Sequence, residues 1–388
     1  MTSGEICAWY YQTRRPVLLR WKKAVIISIE ESLVEPPKGL WLAPTLLDLQ
    51  VNGYGGIDFE RDDLSIEDLF NATQKLERDG CSGIMATLIT ASWPELICRV
   101  RKLRELRMQS PEIQSCIKGW HIEGPFLSPE AGYCGTHNPA WMCDPTASHV
   151  RELREAAGSD PLLITLAPER AGALDAIELA VSLGIKVSLG HTNAPMDVLQ
   201  SAVRAGATGF THLGNGIPQA LDRHDNILWR IFETPGLTIG IIPDRIHVSK
   251  SLFRIIHRQI ESSKIYYTTD AVHPAGMPPG RFILGGQELE VGADQVVRKP
   301  GQINFSGSAL RPLEGVFRAA EMLDIPWQQA WAHCTSVPSH FIGLPDSLSP
   351  GQPASFCLLH FAPHSQSEKV EVYIRGQLRS ELRASANQ

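Results

Sequence analysis

Short apolar runs that alternate with amphipathic stretches dominate the chain from residue 44 onward, and they constrain its fold more than any other feature. Most runs precede a stretch with helical periodicity, such as Trp93 to Met108. Eight strand–helix units in series predict a (β/α)8 TIM barrel rather than an open doubly wound sheet. The eight runs are Leu46 to Val51, Gly83 to Ile89, Ile117 to Glu123, Leu162 to Ala167, Ile185 to His191, Ala207 to His212, Leu237 to Ile242 and Lys264 to Asp270.

Both ends of the chain have β patterns and predict a second, smaller domain. Three β-like runs precede Pro36-Pro37-Lys38-Gly39, and the tail returns to β structure before a polar end that we expect to be frayed. We therefore predict a small β-sandwich domain from 1–43 plus 346–388 and a catalytic barrel over 44–345. Within the barrel, Arg281 to Phe305 predict an inserted hairpin, followed by helices up to about Phe341.

Composition and charge exclude several classes of function. Hydrophobic residues make up 43% and charged residues 20%, and the net charge of -6 offers no basic surface for nucleic acid. No apolar run approaches the roughly 18 residues that span a bilayer, and the start lacks the apolar core of a signal peptide. The eight cysteines contain no Cys-x-x-Cys pair, which favours reduced thiols. We expect a cytoplasmic protein that acts on a small molecule, with no nucleic acid or membrane as partner.

Three residues that end different predicted strands are of the types that bind a catalytic metal. Glu123 ends the third run, His191 the fifth and His212 the sixth. Taken singly, a histidine at a strand end is more often a structural residue with satisfied hydrogen bonds. Together at one barrel mouth, a carboxylate and two imidazoles leave a position open for water and predict a divalent metal site. Such a metal lowers the pKa of water and polarises a carbonyl, which are the two requirements of amide hydrolysis.

A fourth polar residue, Asp270, ends the eighth run. A carboxylate after a strand ordinarily caps a turn or a helix. At the same mouth as a metal site, it can instead take a proton from water and pass it to a leaving amine. We therefore predict that Asp270 is the general base and then the general acid.

Polar groups suited to a substrate follow in later loops. The glycine-rich loop 132–139 contains His137 and Asn138, and its glycines allow backbone N–H groups to approach a ligand, although the same composition suits a plain flexible loop. Arg223 and His247 together suit a phosphate. Arg223 stands in a mixed-charge run and is equally well a solvated surface charge. The candidates in these later loops are Asn215, Gly216, Arg223 and His247.

From about Leu46 to Gly376, the chain resembles the N-acetylglucosamine-6-phosphate deacetylases of the amidohydrolase superfamily. The resemblance rests on a set of motifs rather than on any one of them. The motifs are Asp48-Leu49-Gln50-Val51-Asn52-Gly53, His121-Ile122-Glu123-Gly124-Pro125, Gly135-Thr136-His137-Asn138-Pro139, Leu166-Ala167-Pro168-Glu169, Gly190-His191-Thr192, Thr211-His212-Leu213, Thr269-Asp270-Ala271 and Ser306-Gly307-Ser308-Ala309-Leu310.

This resemblance implies a metal-dependent deacetylase in which the metal activates water and Asp270 moves the proton. It implies that His137 stabilises the oxyanion and that Arg223 and His247 contact the phosphate across the interface of a homodimer. It places the sugar and its acetyl amide against Asn138, Asn215, Gly216, Ala309 and Leu310.

Many amidohydrolases carry a His-x-His pair on the first strand for a second metal, whereas this chain has Gln50 and Asn52. Neutral amides are poor ligands for zinc. The resemblance therefore implies one divalent metal ion per subunit, with zinc preferred and iron or manganese acceptable to the same donors.

Four positions depart from the pattern of the family around substrate recognition: Gly214, Arg245, His273 and Arg311. They leave two alternatives open. One is a deacetylase of another N-acylated sugar phosphate, such as N-acetylgalactosamine 6-phosphate. The other is an inactive protein that keeps the metal and binds a sugar phosphate.

Overall fold

The computed structural model describes residues 2–284, 287–298, 300, 305–361 and 368–384. Its first four strands are β1 (Ser3–Tyr10), β2 (Pro16–Lys22), β3 (Val25–Glu31) and β4 (Leu40–Pro44). Strand β2 pairs antiparallel with both β1 and β3, and β4 pairs parallel with β1. These strands form one half of a sheet that the end of the chain completes.

Eight parallel strands then form the barrel. A bridge between Val51, in the first of these strands, and Ala271, which follows the last, brings the two ends of the sheet together. This arrangement confirms the predicted (β/α)8 fold. The barrel strands are called staves below. A two-stranded ribbon of β6 (Gly53–Tyr54) and β7 (Ile57–Asp58) follows the first stave. The staves are β5 (Leu46–Val51), β8 (Cys81–Ile89), β9 (Ile117–Glu123), β10 (Leu162–Leu166), β11 (Lys186–Leu189), β12 (Gly209–Phe210), β13 (Thr238–Ile241) and β14 (Ile265–Tyr267).

Helices follow the staves and bury one apolar face each. In the first helix, Leu69, Ala72 and Leu76 are buried at helical spacing, and Ser65 with Asp68 forms a capping box at its start. The helices are α1 (Ile66–Arg78), α2 (Trp93–Met108), α3 (Pro111–Cys116), α4 (Ala147–Ala157), α5 (Ala173–Ser182), α6 (Met196–Arg204), α7 (Ile227–Phe232) and α8 (Lys250–Gln259), with 3-10 turns at Pro139–Trp141 and Ser262–Lys264. None of the helices within the described residues is long and apolar enough to cross a membrane.

A four-stranded antiparallel sheet is inserted after β14: β15 (Gly280–Leu284), β16 (Gln287–Val291), β17 (Val296–Arg298) and β18 (Phe305–Ser308). The predicted hairpin was therefore too small, because β17 and β18 are too short to show a strand pattern in the sequence. Residues 285–286, 299 and 301–304 of this segment lie outside the described residues. The insertion returns to the barrel beside Asp270, whose carbonyl accepts a hydrogen bond from Ser308 N at 3.0 Å.

The chain ends with helices α9 (Pro312–Leu323), α10 (Trp327–Trp331) and α11 (Ser336–Ile342), a 3-10 turn at Ala332–Cys334, and strands β19 (Phe356–His360), β20 (Glu368–Ile374) and β21 (Gln377–Ala384). Strand β19 pairs with β4, so both termini build one seven-stranded sheet. An isolated bridge also joins Val25 of β3 to Pro353, which precedes β19. This confirms the small β domain, while its predicted limits at residues 43 and 346 stay a prediction. The prediction that the polar end of the chain is frayed was wrong for 377–384, which form β21. Residues 385–388 lie outside the described residues.

Candidate active site

Glu123, His191 and His212 meet at the carboxyl-terminal mouth of the barrel. His212 Nε2 lies 2.8 Å and His191 Nε2 3.3 Å from Glu123 Oε1, and the two imidazole nitrogens are 3.2 Å apart. All three side chains are buried. Among the described residues, they form the one group of three or more potential ligands close enough to hold a metal ion.

The backbone leaves its strands early at the residues of this site. Strand β11 ends at Leu189 and β12 at Phe210, two residues before His191 and His212, so the predicted strands were too long there. The backbone φ angles of His191, His212 and Asp270 are 49°, 23° and 50°, in the left-handed region. This region costs a residue with a side chain about 1–3 kcal/mol, and such strain is concentrated at functional sites.

Two glycines enclose the ring of His191. A Cβ at Gly135 would lie 2.9 Å from its Cε1, and a Cβ at Gly216 would lie 2.7 Å from its Nδ1. Any larger residue at either position would have to displace the imidazole. His191 Nδ1 also donates a hydrogen bond to the carbonyl of Tyr133 at 2.8 Å. These contacts fix the orientation of the ring and turn Nε2 towards Glu123 and His212.

The chemistry of these three residues fits a divalent cation. Bonds of about 2.0–2.1 Å in a tetrahedral site place neighbouring ligand atoms roughly 3.3 Å apart, close to the separations found here. Burial would raise the pKa of Glu123, but hydrogen bonds and charge from His191 and His212 outweigh burial and hold that pKa well below its usual range. Glu123 is therefore a carboxylate.

His137 lies on the other side of Glu123, with its Nε2 3.7 Å from Glu123 Oε2. His137 Nδ1 lies 2.9 Å from the hydroxyl of Thr90 and accepts the backbone N–H of the same residue at 3.4 Å, an arrangement that leaves the ring proton to Nε2. Burial, and then the charge of His191, lower the pKa of His137 to about 3. The imidazole is neutral and directs an N–H donor into the site.

Asp270 accepts a hydrogen bond from Asn52 Nδ2 at 2.9 Å. Burial and repulsion by Glu123 raise the pKa of Asp270 to about 6, while the charges of His212 and His247 oppose the rise. Asp270 therefore lies within electrostatic reach of Glu123 and His212. A carboxyl with this pKa can both accept and return a proton near neutral pH.

The side-chain amides of Gln50 and Asn52, in and just after the first barrel strand, bond to residues other than Glu123, His191 and His212. Asn52 holds Asp270, and Gln50 Oε1 accepts a hydrogen bond from Thr211 Oγ1 at 2.8 Å. Thr211 directly precedes His212. The amides thus support two residues of the site from the first strand.

Known proteins of similar sequence and structure are deacetylases of amino-sugar phosphates, although no protein-family model matches the chain. The N-acetylglucosamine-6-phosphate deacetylase of Mus musculus is 30% identical over 355 residues, which are 88% of this chain and 83% of the relative. The chain belongs to the N-acetylglucosamine-6-phosphate deacetylase family. The N-acetylgalactosamine-6-phosphate deacetylase of Escherichia coli O157:H7 is 27% identical over 368 residues, 93% of this chain and 94% of the relative.

The structural comparison agrees with this family. A mutant N-acetyl-D-glucosamine-6-phosphate deacetylase of Mycobacterium smegmatis, solved in complex with N-acetyl-D-glucosamine-6-phosphate, superimposes with a TM-score of 0.84 at 26% identity. The match covers 98% of this chain and 100% of that one. The barrel and the sheet of the two termini are therefore both shared with this family member.

The residues of the present chain that were predicted to bind the substrate differ in their surroundings. Asn215 Nδ2 donates to the carbonyl of His212 at 3.2 Å, and Gly216 contacts His191. Asn138 is exposed and its side chain accepts from Ala140 N at 3.0 Å. Its amide therefore caps its own turn.

The predicted phosphate residues differ from each other. Arg223 is exposed and donates to His224 Nε2 at 3.0 Å, whereas the side chain of His247 is 6% exposed. Ala309 and Leu310 are buried where β18 leads into α9. The side chain of His247 is thus enclosed by other residues of the chain, whereas that of Arg223 lies on the surface.

Sequence reasoning missed three supporting residues of this site. Thr90 orients His137, Asn52 orients Asp270, and Asp244 binds His247 through Nδ1 at 2.5 Å. Thr90 and Asn52 act across the fold, and no local pattern marks them. Asp244 stood three residues before His247, a spacing at which an aspartate commonly binds the backbone of a turn.

The four departures from the family pattern have different structural roles. Arg245 pairs with Glu321 of α9, and Arg311 precedes the first turn of the same helix. Gly214 has a φ of 99°, and His273 is buried with its ring 5.7 Å from that of Phe282. Nothing in these contacts explains a change of substrate.

Proposed function

We propose that the chain hydrolyses the N-acetyl group of N-acetylglucosamine 6-phosphate, giving glucosamine 6-phosphate and acetate. The observation that carries this proposal is the meeting of Glu123, His191 and His212 with Asp270 in a member of this deacetylase family. A hydrolase that breaks a linear amide bond needs an activated water, an oxyanion donor and a proton carrier. This mouth contains candidates for all three.

Glu123, His191 and His212 would hold one divalent metal ion per subunit, and we propose zinc, because such donors generally bind zinc more tightly than iron(II) or manganese(II), which they also accept. The bound ion would polarise the amide carbonyl and lower the pKa of water. Support comes from the separations of the three ligand atoms and from the burial of all three side chains.

His137 and Asp270 would act on the substrate directly. The Nε2–H of His137 would donate to the carbonyl oxygen as negative charge develops on it. Asp270 would take the proton of the attacking water as the carbon–oxygen bond forms. It would then give this proton to the nitrogen as the carbon–nitrogen bond breaks, so that the amine leaves neutral.

Arg223 and His247 would bind the phosphate, and Asn138, Asn215, Gly216, Ala309 and Leu310 would surround the sugar and acetyl group. We propose a homodimer in which Arg223, which is exposed within its own chain, reaches the site of the partner. We also keep as proposals a cytoplasmic location and the division into 1–43 plus 346–388 and 44–345.

Acetate release tests the function. Purified, zinc-loaded protein is assayed with N-acetylglucosamine 6-phosphate, its galactosamine epimer and free N-acetylglucosamine. We expect the highest kcat/KM for the first compound. A preference for the epimer would reassign the substrate, and tight binding of all sugar phosphates without acetate release would indicate an inactive binding protein.

A further inference from the structure

His247 does not stand alone on the loop that follows β13. Asp244 Oδ2 lies 2.5 Å from His247 Nδ1, and Asp244 Oδ1 accepts the backbone N–H groups of Ile246 and His247 at 2.8 Å each. One carboxylate therefore holds both the loop backbone and the ring. Its two functions use different oxygens.

This pair is buried and is held from both sides. The side chains of His247 and Asp244 are 6% and 3% exposed. The ring of Phe305, on the inserted sheet, packs edge to face against His247 with centroids 5.0 Å apart. A histidine ring with a carboxylate on one nitrogen and an aromatic ring against it has little freedom to turn.

The other ring nitrogen of His247 is available to a ligand. Within the described residues, His247 Nε2 has no hydrogen-bond partner, whereas Nδ1 binds Asp244. His247 follows β13 and Asp270 follows β14, so both residues lie beyond the carboxyl ends of neighbouring barrel strands, on the side of the reaction site. Burial works to raise the pKa of Asp244, but its bonds with His247 outweigh burial and keep that pKa below its usual value, so Asp244 is a carboxylate.

We propose that Asp244 is a positioning residue for phosphate recognition: its carboxylate accepts the Nδ1–H of His247 and balances the charge of an imidazolium whose Nε2–H donates to the phosphate of the substrate. The proposal rests on the proposed function, in which His247 contacts that phosphate. A phosphate oxygen accepts hydrogen bonds, so the ring must carry a proton on Nε2 as well as on Nδ1, and a carboxylate beside Nδ1 favours this charged ring. Hydrogen bonds to charged groups are also the stronger ones.

The test compares Asp244→Asn, His247→Ala and the double variant. Asparagine keeps an oxygen for the backbone N–H groups but replaces the charged acceptor of the ring. For Asp244→Asn we expect KM for N-acetylglucosamine 6-phosphate to rise about tenfold, the loss of one charge-assisted hydrogen bond. We expect kcat to change less than about threefold and kcat/KM for free N-acetylglucosamine less than about twofold, because neither involves the phosphate.

Asp160→Asn is the matched control. Asp160 is also a largely buried carboxylate, bound by Arg107 at 3.1 Å, but it precedes β10 at the opposite end of the barrel. Its loss should lower Tm without changing the preference for phosphorylated substrate. If Asp244→Asn behaved in the same way, Asp244 would be merely structural and the proposal overturned.

The double variant distinguishes a failure of the role of Asp244 from a failure of the phosphate assignment of His247. If Asp244 acts through His247, Asp244→Asn should add little to the effect of His247→Ala, whereas additive effects would refute the coupling. If His247→Ala itself left the phosphate preference intact, the phosphate assignment in the proposed function would fail, and this inference with it. Should Asp244→Asn not fold, nitrogen-15 NMR of the wild-type protein decides, with a proton on His247 Nδ1 expected and its absence contradicting the proposal.

Discussion

Two groups of residues at the barrel mouth, called corners here, differ in how many of their side chains are buried within one chain. In the proposed metal corner, which consists of Glu123, His191, His212 and His137, every side chain is buried and contacts another member. In the proposed phosphate corner, Asp244 and His247 are buried, but Arg223 is exposed and bound to its own neighbour. All members of the metal corner are thus enclosed within one chain, whereas one member of the phosphate corner, Arg223, is not.

The difference reflects what each corner must achieve. A metal site needs ligands held in one geometry before the ion binds, since buried charges require partners that are already in place. A phosphate site can gain an arginine from a mobile surface, because a guanidinium keeps its charge in water and binds oxygens in pairs. Substitutions in the first corner should therefore abolish activity, and those in the second should change substrate preference.

The largest effect is expected for Glu123→Gln. Loss of the anionic ligand should remove the metal and lower kcat/KM on the order of 10⁴-fold or more, because the ion supplies several kcal/mol of stabilisation. Metal analysis and acetate release check this. The control is Glu60→Gln, since burial and the nearby Asp58 raise the pKa of Glu60 to about 8 and its carboxyl accepts Ile89 N at 2.8 Å. Equal metal content in both variants would contradict the ligand assignment.

Asp270→Asn should come next, with kcat lower by about 10²–10⁴-fold, the usual contribution of a general acid and base. The metal content should stay at one ion per chain, because the substitution leaves all three ligands in place. Single-turnover acetate release with metal analysis measures both. Unchanged turnover would rule out Asp270 as the proton carrier.

Gly216→Ala should weaken metal binding about 10–100-fold, the cost of displacing the support of a ligand. The added Cβ would meet the ring of His191 at 2.7 Å. Gly184→Ala is the control, since Gly184 also has a left-handed φ, of 72°, with no atom near a new Cβ. Competition with a chromophoric chelator gives the zinc affinities, and the two variants should differ in Kd and not in fold. Equal zinc affinities would show that His191 does not need this glycine.

Arg223→Ala should raise KM about tenfold for N-acetylglucosamine 6-phosphate and leave free N-acetylglucosamine nearly unaffected, because only the former presents oxygens to a guanidinium. The exposed Arg151 of α4 supplies the control variant. An equal effect on both substrates would remove Arg223 from the phosphate corner. Assays with mixed subunits would further show which chain supplies the arginine.

The smallest effect is a pH dependence. Asp270 must be deprotonated to accept a proton, and its pKa of about 6 without a cation falls further when a cation binds beside it. As pH falls through that pKa the base is lost, so kcat/KM should decline about tenfold per unit only below pH 6. A decline that already begins above pH 7 would exclude Asp270 as its source.

Much of the barrel was predictable because its staves are apolar runs bounded by polar ends. Strands β5 and β9 match the predicted runs at both limits, and α2 matches its amphipathic stretch. The ends of the staves near His191 and His212 were not predictable. There the backbone turns into a left-handed conformation that ordinary propensities do not favour, and only the packed site stabilises it.

The candidate site was predictable in its residues and not in its supports. Glu123, His191 and His212 stood at the ends of apolar runs, where barrel strands place reactive groups. Their orientation depends on partners distant in sequence, such as Tyr133 for His191 and Thr90 for His137. The inserted sheet was underestimated for a similar reason, since β18 is stabilised by pairing with the residues around Asp270 rather than by its own sequence.

The most direct test of a single-metal deacetylase is a zinc titration of chelator-stripped protein, followed by acetate release from N-acetylglucosamine 6-phosphate. With Glu123, His191 and His212 as the one ligand set within the described residues, and amides at 50 and 52, activity should rise linearly and stop at one equivalent of zinc per chain. Activity that needs two equivalents, or that survives complete removal of metal, would contradict this account.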